Sequence, residues 1–148
     1  MKDRVAQFAQ VRDDLLGALE RFPADRVGEP VCGMWDLRCV LAHIAGWDGY
    51  FVEIVKRLRA GDQVPYWGDI DAFNEASVEE REGKTWDEVK DEFVKTGAIF
   101  IEVYGDLEKG LWRRRFWKQG KPTPVWVVEI NAAHYREHLE EIEKTLKE

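Results

Sequence analysis

Cysteine and histidine are scarce in this sequence, with two and three among 148 residues. Cys32 and Cys39 fit neither a disulfide framework nor a CxxC pair, so a reduced, cytoplasmic setting is expected. Long apolar runs are also missing. The longest, such as Pro124–Val128, reach four or five residues, against the roughly 20 needed to span a bilayer, so no membrane partner is expected. Met1-Lys2-Asp3-Arg4 leads into a charged helical pattern with no apolar secretory stretch. Excess positive charge is absent too. The 22 Lys and Arg against 29 Asp and Glu leave a net charge of −7. Such a surface repels phosphate backbones, so nucleic acid is not an expected partner. There is no convincing strand pattern, internal repeat or low-complexity tract.

What is present is a core and an aromatic surplus. Apolar residues make up 45% and charged residues 34% of the chain, which excludes a disordered polymer. The length suits one domain, residues 1–148. Seven tryptophans need burial or a ligand, because scattering them on a surface invites aggregation.

Four long helical patterns are legible. In the first, Phe8, Val11, Leu15, Leu19 and Phe22 recur at three- and four-residue steps until Pro23 stops the run. The second starts from Asp36 as N-cap and ends at Gly61. Thr85 and Glu88 form a capping box ahead of the stripe Trp86, Val89, Phe93, Gly97, Phe100, Tyr104 and Leu107. Thr123-Pro124 opens the fourth. The expected fold is all-α, a four-helix bundle with a long crossover between helices two and three. That crossover, Asp62 to Lys84, has room for an extra short helix over Ile70–Glu82, with Ser77 and Glu80 as a local cap. A connection this long also means that simple up-down-up-down order is not assured.

The three histidines carry the chemistry. His134 and His138 stand at i, i+4 on the fourth helix, so both rings point the same way and can share one ion. They fall beside Val127 and Asn131, on the uncharged flank of the core stripe. On the second helix His43 sits at the edge of the core arc, in line with Trp47 and Tyr50. The flank beyond it carries Cys39, Gly46 and Gly49, small residues expected to leave room for water or substrate. A lone histidine beside a core is most often a hydrogen-bonded core residue. All three of the chain bordering an apolar face point instead to a metal site formed by His43, His134 and His138.

Other residues are ambiguous. His134-x-x-Glu137-His138 matches the inverted zinc-protease pattern. Those enzymes need a third ligand far downstream, and only ten residues follow His138, so the match reads as coincidental. Glu137 is a candidate base, against the plainer reading of a solvated surface glutamate. Cys39 is a candidate fourth ligand or reactive thiol, against a buried inert cysteine. Trp47, Tyr50, Trp67 and Asn131 are candidate substrate-binding residues. Core filling competes for Trp47, and satisfying a backbone group competes for Asn131. In Trp112–Lys121, basic residues alternate with aromatics, a pattern that can bind single-stranded nucleic acid or an anionic surface. In an acidic chain, a loop folded over the bundle with its cations paired to acidic helix faces is the stronger expectation.

The run Gly33-Met34-Trp35-Asp36-Leu37-Arg38-Cys39-Val40-Leu41-Ala42-His43-Ile44-Ala45-Gly46-Trp47 resembles the second-helix signature of the DinB-like (DinB/YfiT) superfamily. Asn131 to His138 resembles that family's last-helix HxxxH. Phe73-Asn74 followed by Thr85-Trp86-Asp87-Glu88-Val89 looks most like the ClbS/DfsB-type branch. The likeness runs through nearly the whole chain in order and spacing. It implies an antiparallel-type four-helix bundle holding a divalent metal, nickel or zinc, on His43, His134 and His138. Similar members include thiol-dependent S-transferases and isomerases, and self-resistance hydrolases that disarm electrophiles.

Three neutral imidazoles leave a fourth position free. A Zn²⁺ held by the three rings lowers the pKa of water in that position to roughly 7, or keeps a low-molecular-weight thiol nucleophilic. The expected function is a metal-dependent hydrolase or thiol transferase acting on a small, electrophilic molecule. The alternatives are a metal-independent binding or self-resistance protein with an aromatic pocket, and an interaction module using Trp112–Lys121. Bundles of this size often pair, which makes a homodimer an expectation.

Overall fold

The computed structural model describes residues 1–148. It is 70% helical and has no strands. Five helices follow one another: α1 Lys2–Arg21, α2 Leu37–Ala60, α3 Ile70–Glu79, α4 Trp86–Gly105 and α5 Pro124–Leu146. No helix is long and apolar enough to cross a membrane.

Helix boundaries follow local chemistry. Asp36 accepts a hydrogen bond from Cys39 N at the start of α2, and Gly61 ends it at φ 76°, in the left-handed region. Thr85 and Glu88 close the capping box of α4, and Thr123 caps α5 ahead of Pro124. The short helix in the crossover is α3, but its cap differs from the expected one. Asp69 does the capping, while Ser77 lies buried in the helix and donates to the Phe73 carbonyl.

The principal helix pairs are α2 with α4 and α1 with α5, joined by α1–α4 and α2–α5 contacts. Helices consecutive in sequence, α1 and α2 or α4 and α5, therefore lie across the bundle diagonal. The connections 22–36 and 106–123 make those crossings, each with a short 3-10 turn. The long connection 61–85 instead joins side-by-side neighbours and lays α3 against α2. The predicted stripes of α1 and α4 supply much of the core, although Trp86 stays half-buried. Phe8, Leu15, Phe93, Phe100, Tyr104, Tyr135 and Ile142 are fully buried, with Phe8 and Phe100 in ring contact at 4.6 Å.

Gly46 has a different role from the one expected. A Cβ there would lie 2.2 Å from Ser77 Oγ and 2.6 Å from Ser77 Cβ. The space beside that glycine is thus filled by α3 and is not open to substrate. Gly46→Ala adds helix propensity worth up to about 1 kcal/mol, yet the overlap forces α3 outward. A net loss of about 1–3 kcal/mol in urea unfolding is expected, partly restored by Ser77→Gly.

Candidate metal centre and aromatic cleft

The short reach from Val31 to Asp36 sets one wall of the site. Gly33 takes φ 58°, and Cys32 and Trp35 close a tight backbone pair, Trp35 N donating to Cys32 O at 2.9 Å. The turn lays the Trp35 ring on His43, with centroids 5.0 Å apart, and leaves Cys32 facing α5.

His43 from α2 meets His134 and His138 from α5. His43 Nε2 lies 2.8 Å from His134 Nε2, which lies 3.0 Å from His138 Nε2. His138 Nδ1 donates to Glu141 Oε1 at 2.5 Å, so its Nε2 presents a lone pair to the cluster. The single proton that a neutral His134 can hold on Nε2 cannot serve both neighbours. Three convergent nitrogens with too few protons to share are what a cation satisfies, so the residues present fit a divalent metal. Glu141 supplies the carboxylate that orients a ligating imidazole.

The electrostatics agree with this geometry. Burial, then the neighbouring His138, holds His43 down to about 4. Burial, then His138 and His43, holds His134 down to about 3. Both rings are neutral at pH 7, the form that binds metal. His43 Nδ1 is buried without a hydrogen-bond partner, although the Asn74 side chain is close enough to favour its charged form.

These shifts set a pH dependence. In the unfolded chain both histidines take up protons near pH 6.5, so protonation favours unfolding. Their contribution is fully present above about pH 6.5 and is lost as pH falls towards 4 and then 3. Asp48 acts in the opposite sense, because burial raises its carboxyl to about 7. Its contribution declines as pH rises from about 4 to 7. Two imidazoles against one carboxylate leave a net gain. The metal-stripped protein should be more stable to urea at about pH 6.5 than at about pH 4.5, and Asp48→Asn should steepen the difference.

The cluster opens onto a cleft of about 460 Å³, walled by Trp35, Trp47, Phe51, Trp67, Trp126 and Ile130. Trp47 serves core and cleft together, its indole donating to Asn74 Oδ1 at 2.6 Å. Trp67 lines the cleft. Tyr50 does not. It turns towards the crossover, where its hydroxyl donates to the Pro65 carbonyl and its ring packs on Phe73. Asn131 borders the cleft as a buried residue, and one Nδ2 hydrogen goes to Asp48 at 2.9 Å. Glu137 is exposed on the cleft wall without a hydrogen bond or ion pair.

Among the cysteines, Cys32 is the one at the site and Cys39 lies outside the cleft. Cys32, His138 and Glu141 bring their ligand atoms within 4.8 Å of one another. Burial, then hydrogen bonding to Glu141, pushes the Cys32 thiol up to about 12. Cys32 stands in the loop ahead of α2, where no helical spacing relates it to His43, and so carries no signal in the sequence. Glu141 has one, the i, i+3 spacing after His138.

The basic segment does fold over the bundle, with Trp112 and Phe116 buried. Trp117 donates to the Val64 carbonyl at 2.9 Å and abuts Trp67 edge-on. Its cations do not pair with acidic faces as expected. Arg113, Arg114, Arg115, Lys118 and Lys121 are exposed and make no ion pair.

A sequence profile of the DinB superfamily matches residues 7–142. The chain belongs to the DinB superfamily. No curated protein and no solved structure matches it. The matched span contains all three histidines, and the all-helical architecture agrees with a DinB-like fold. In this DinB superfamily chain the three-histidine group is a candidate holder of a divalent metal.

Proposed function

We propose that the chain is a divalent-metal-dependent enzyme, a hydrolase or thiol-dependent transferase acting on a small electrophilic molecule in the aromatic cleft. The observation that carries this reading is the convergence of three Nε2 atoms from two helices at the wall of an accessible cavity. A resident divalent cation, nickel or zinc, would supply Lewis acidity to a bound substrate, water or thiol. His43, His134 and His138 would hold it. Glu141 fixes the tautomer and angle of His138. Trp35 packs on His43, and Trp47 lines the same cleft. Glu137, exposed on the cleft wall, would be the base that takes a proton from a substrate or thiol.

The finer assignment to the ClbS/DfsB-type branch belongs to this proposal and rests on Phe73-Asn74 and the Thr85–Val89 run. The cytoplasmic setting, the single-domain reading of residues 1–148, the homodimer and small molecules as partners are proposed with it. Elemental analysis of protein purified without chelators should find about one divalent ion per chain, and its absence would count against the metal reading. Glu141→Gln should weaken metal affinity roughly 10–100-fold with the fold intact, as measured by competition with a chromophoric chelator.

A second reading, a metal-independent binding or self-resistance protein, is favoured by one observation. The cleft is mainly aromatic and aliphatic, with few polar groups beyond the histidines, Asn74, Asn131 and Glu137. Ligand binding or turnover that survives complete removal of metal by EDTA would select it.

A further inference from the structure

The basic segment ahead of α5 is held down by everything except its cations. Trp112 and Phe116 are buried, Val125 N donates to Trp112 O at 3.1 Å, and Phe116 N donates to Pro122 O at 3.1 Å. Among these anchors Arg113, Arg114, Arg115, Lys118 and Lys121 stand exposed without an ion pair. Five such cations within nine residues concentrate a positive field on a chain whose net charge is −7.

That field lies beside the mouth of the cleft. Trp117, two residues after Arg115 and next to Lys118, packs edge-on against Trp67 at 5.3 Å and against Tyr66 at 5.2 Å. Its indole N–H is tied to the Val64 carbonyl. Trp67 in turn lies against Trp126, on the first turn of α5, with centroids 6.5 Å apart. Both line the cleft, and Ile70, Trp126 and Ile130 leave an exposed apolar rim there. Inside, the cleft has no Lys or Arg, and Glu137 is the one acidic residue of its lining. Along α5 the site therefore runs from cations ahead of the helix, through apolar walls, to the histidines.

We propose that Arg113, Arg114, Arg115, Lys118 and Lys121 attract an anionic group of the substrate while its apolar body occupies the cleft. This deepens the reading of the cleft as the substrate site and rests on it. Guanidinium groups meet an oxyanion with paired N–H donors, and the lysines add compact positive charge. The substrate class is an amphiphile with a carboxylate, sulfonate or phosphate at one end and its reacting centre at the other. The ten residues from Pro124 to His134 correspond to about 15 Å of helix rise, which sets the order of that separation.

The test compares 8-anilino-1-naphthalenesulfonate with its uncharged parent N-phenyl-1-naphthylamine, two probes with one apolar body. Both are titrated by fluorescence into the full chain after EDTA treatment and dialysis, so that no metal can take the sulfonate. Wild type should bind the sulfonate about tenfold more tightly at ~20 mM salt, and within about twofold at ~500 mM. Combining R113Q, R114Q, R115Q, K118Q and K121Q should abolish the preference and leave affinity for the neutral probe unchanged. Ala133→Trp, which adds bulk to the cleft lining and keeps every cation, should weaken both probes. Circular dichroism confirms that each variant is folded. A preference that is absent in wild type, or that survives in the fivefold variant, would overturn the proposal. So would undiminished sulfonate binding by Ala133→Trp, which would place the anion outside the cleft. Binding of the neutral probe with no preference for the sulfonate sinks this proposal alone, whereas binding of neither probe sinks the cleft reading with it.

Discussion

Asp48→Ala should cost about 3–5 kcal/mol of folding stability, the largest loss expected from any single polar residue of this chain. Asp48 is fully buried on α2 and accepts hydrogen bonds from the Tyr135 hydroxyl and from Asn131 Nδ2, both on α5. Arg12 on α1 adds a favourable charge, and its Nη2 donates to the Val94 carbonyl on α4 at 2.9 Å. Four helices thus meet at one polar knot. The packing leaves no slack there, since a Cβ on Gly97 would sit 2.8 Å from Arg12 Nε. Truncating the carboxylate strands two buried donors and withdraws the countercharge to Arg12. Asp48→Asn keeps the volume and one acceptor, and should cost about 1–3 kcal/mol. Urea unfolding followed by tryptophan fluorescence measures both. A loss below about 0.5 kcal/mol for the alanine variant would show that the knot contributes nothing to folding.

His134→Ala should abolish stoichiometric metal binding while the stripped protein stays folded. His134 Nε2 touches the Nε2 atoms of both other histidines, so its removal takes away the central donor of the set. Even an outer partner of a ligand is worth 10–100-fold in affinity, so loss of a ligand should exceed about 100-fold. The ring makes no hydrogen bond outside the cluster, and its burial disfavours charge. Stability of the stripped variant at neutral pH should therefore stay within about 1 kcal/mol of the stripped wild type. Nickel or zinc titration, with thermal unfolding in the presence and absence of metal, separates the two effects. Retention of a full equivalent of metal by His134→Ala would remove the basis for the three-histidine centre.

These two variants probe features that differ in how far the sequence discloses them. The histidine spacing on α5 is legible because four residues make about one helical turn, whatever packs against it. That His43 joins them, 91 residues away, follows from side-chain packing between α2 and α5. The buried carboxylate of Asp48 escapes a sequence reading, because an aspartate one residue after Trp47 looks like an ordinary surface charge. Gly46 illustrates the reverse error. A small residue beside a candidate ligand suggests free space, but Ser77 from α3 occupies it. In the same way Cys39 is the cysteine nearer to His43 in sequence, and Cys32 is the one that the Gly33 turn brings to the cleft.

The positions and apolar faces of the four long helices, and the caps at Asp36, Gly61, Thr85 and Thr123, were determined by sequence alone. Backbone hydrogen bonding and the 3.6-residue period act within a turn or two, and so need no knowledge of the rest of the chain. The diagonal placement of consecutive helices, the convergence of three imidazoles and the spacing of Trp67 from Trp126 were decided only by tertiary structure. Each depends on how side chains from distant segments fill a common volume, and close packing admits few solutions that a local pattern can anticipate.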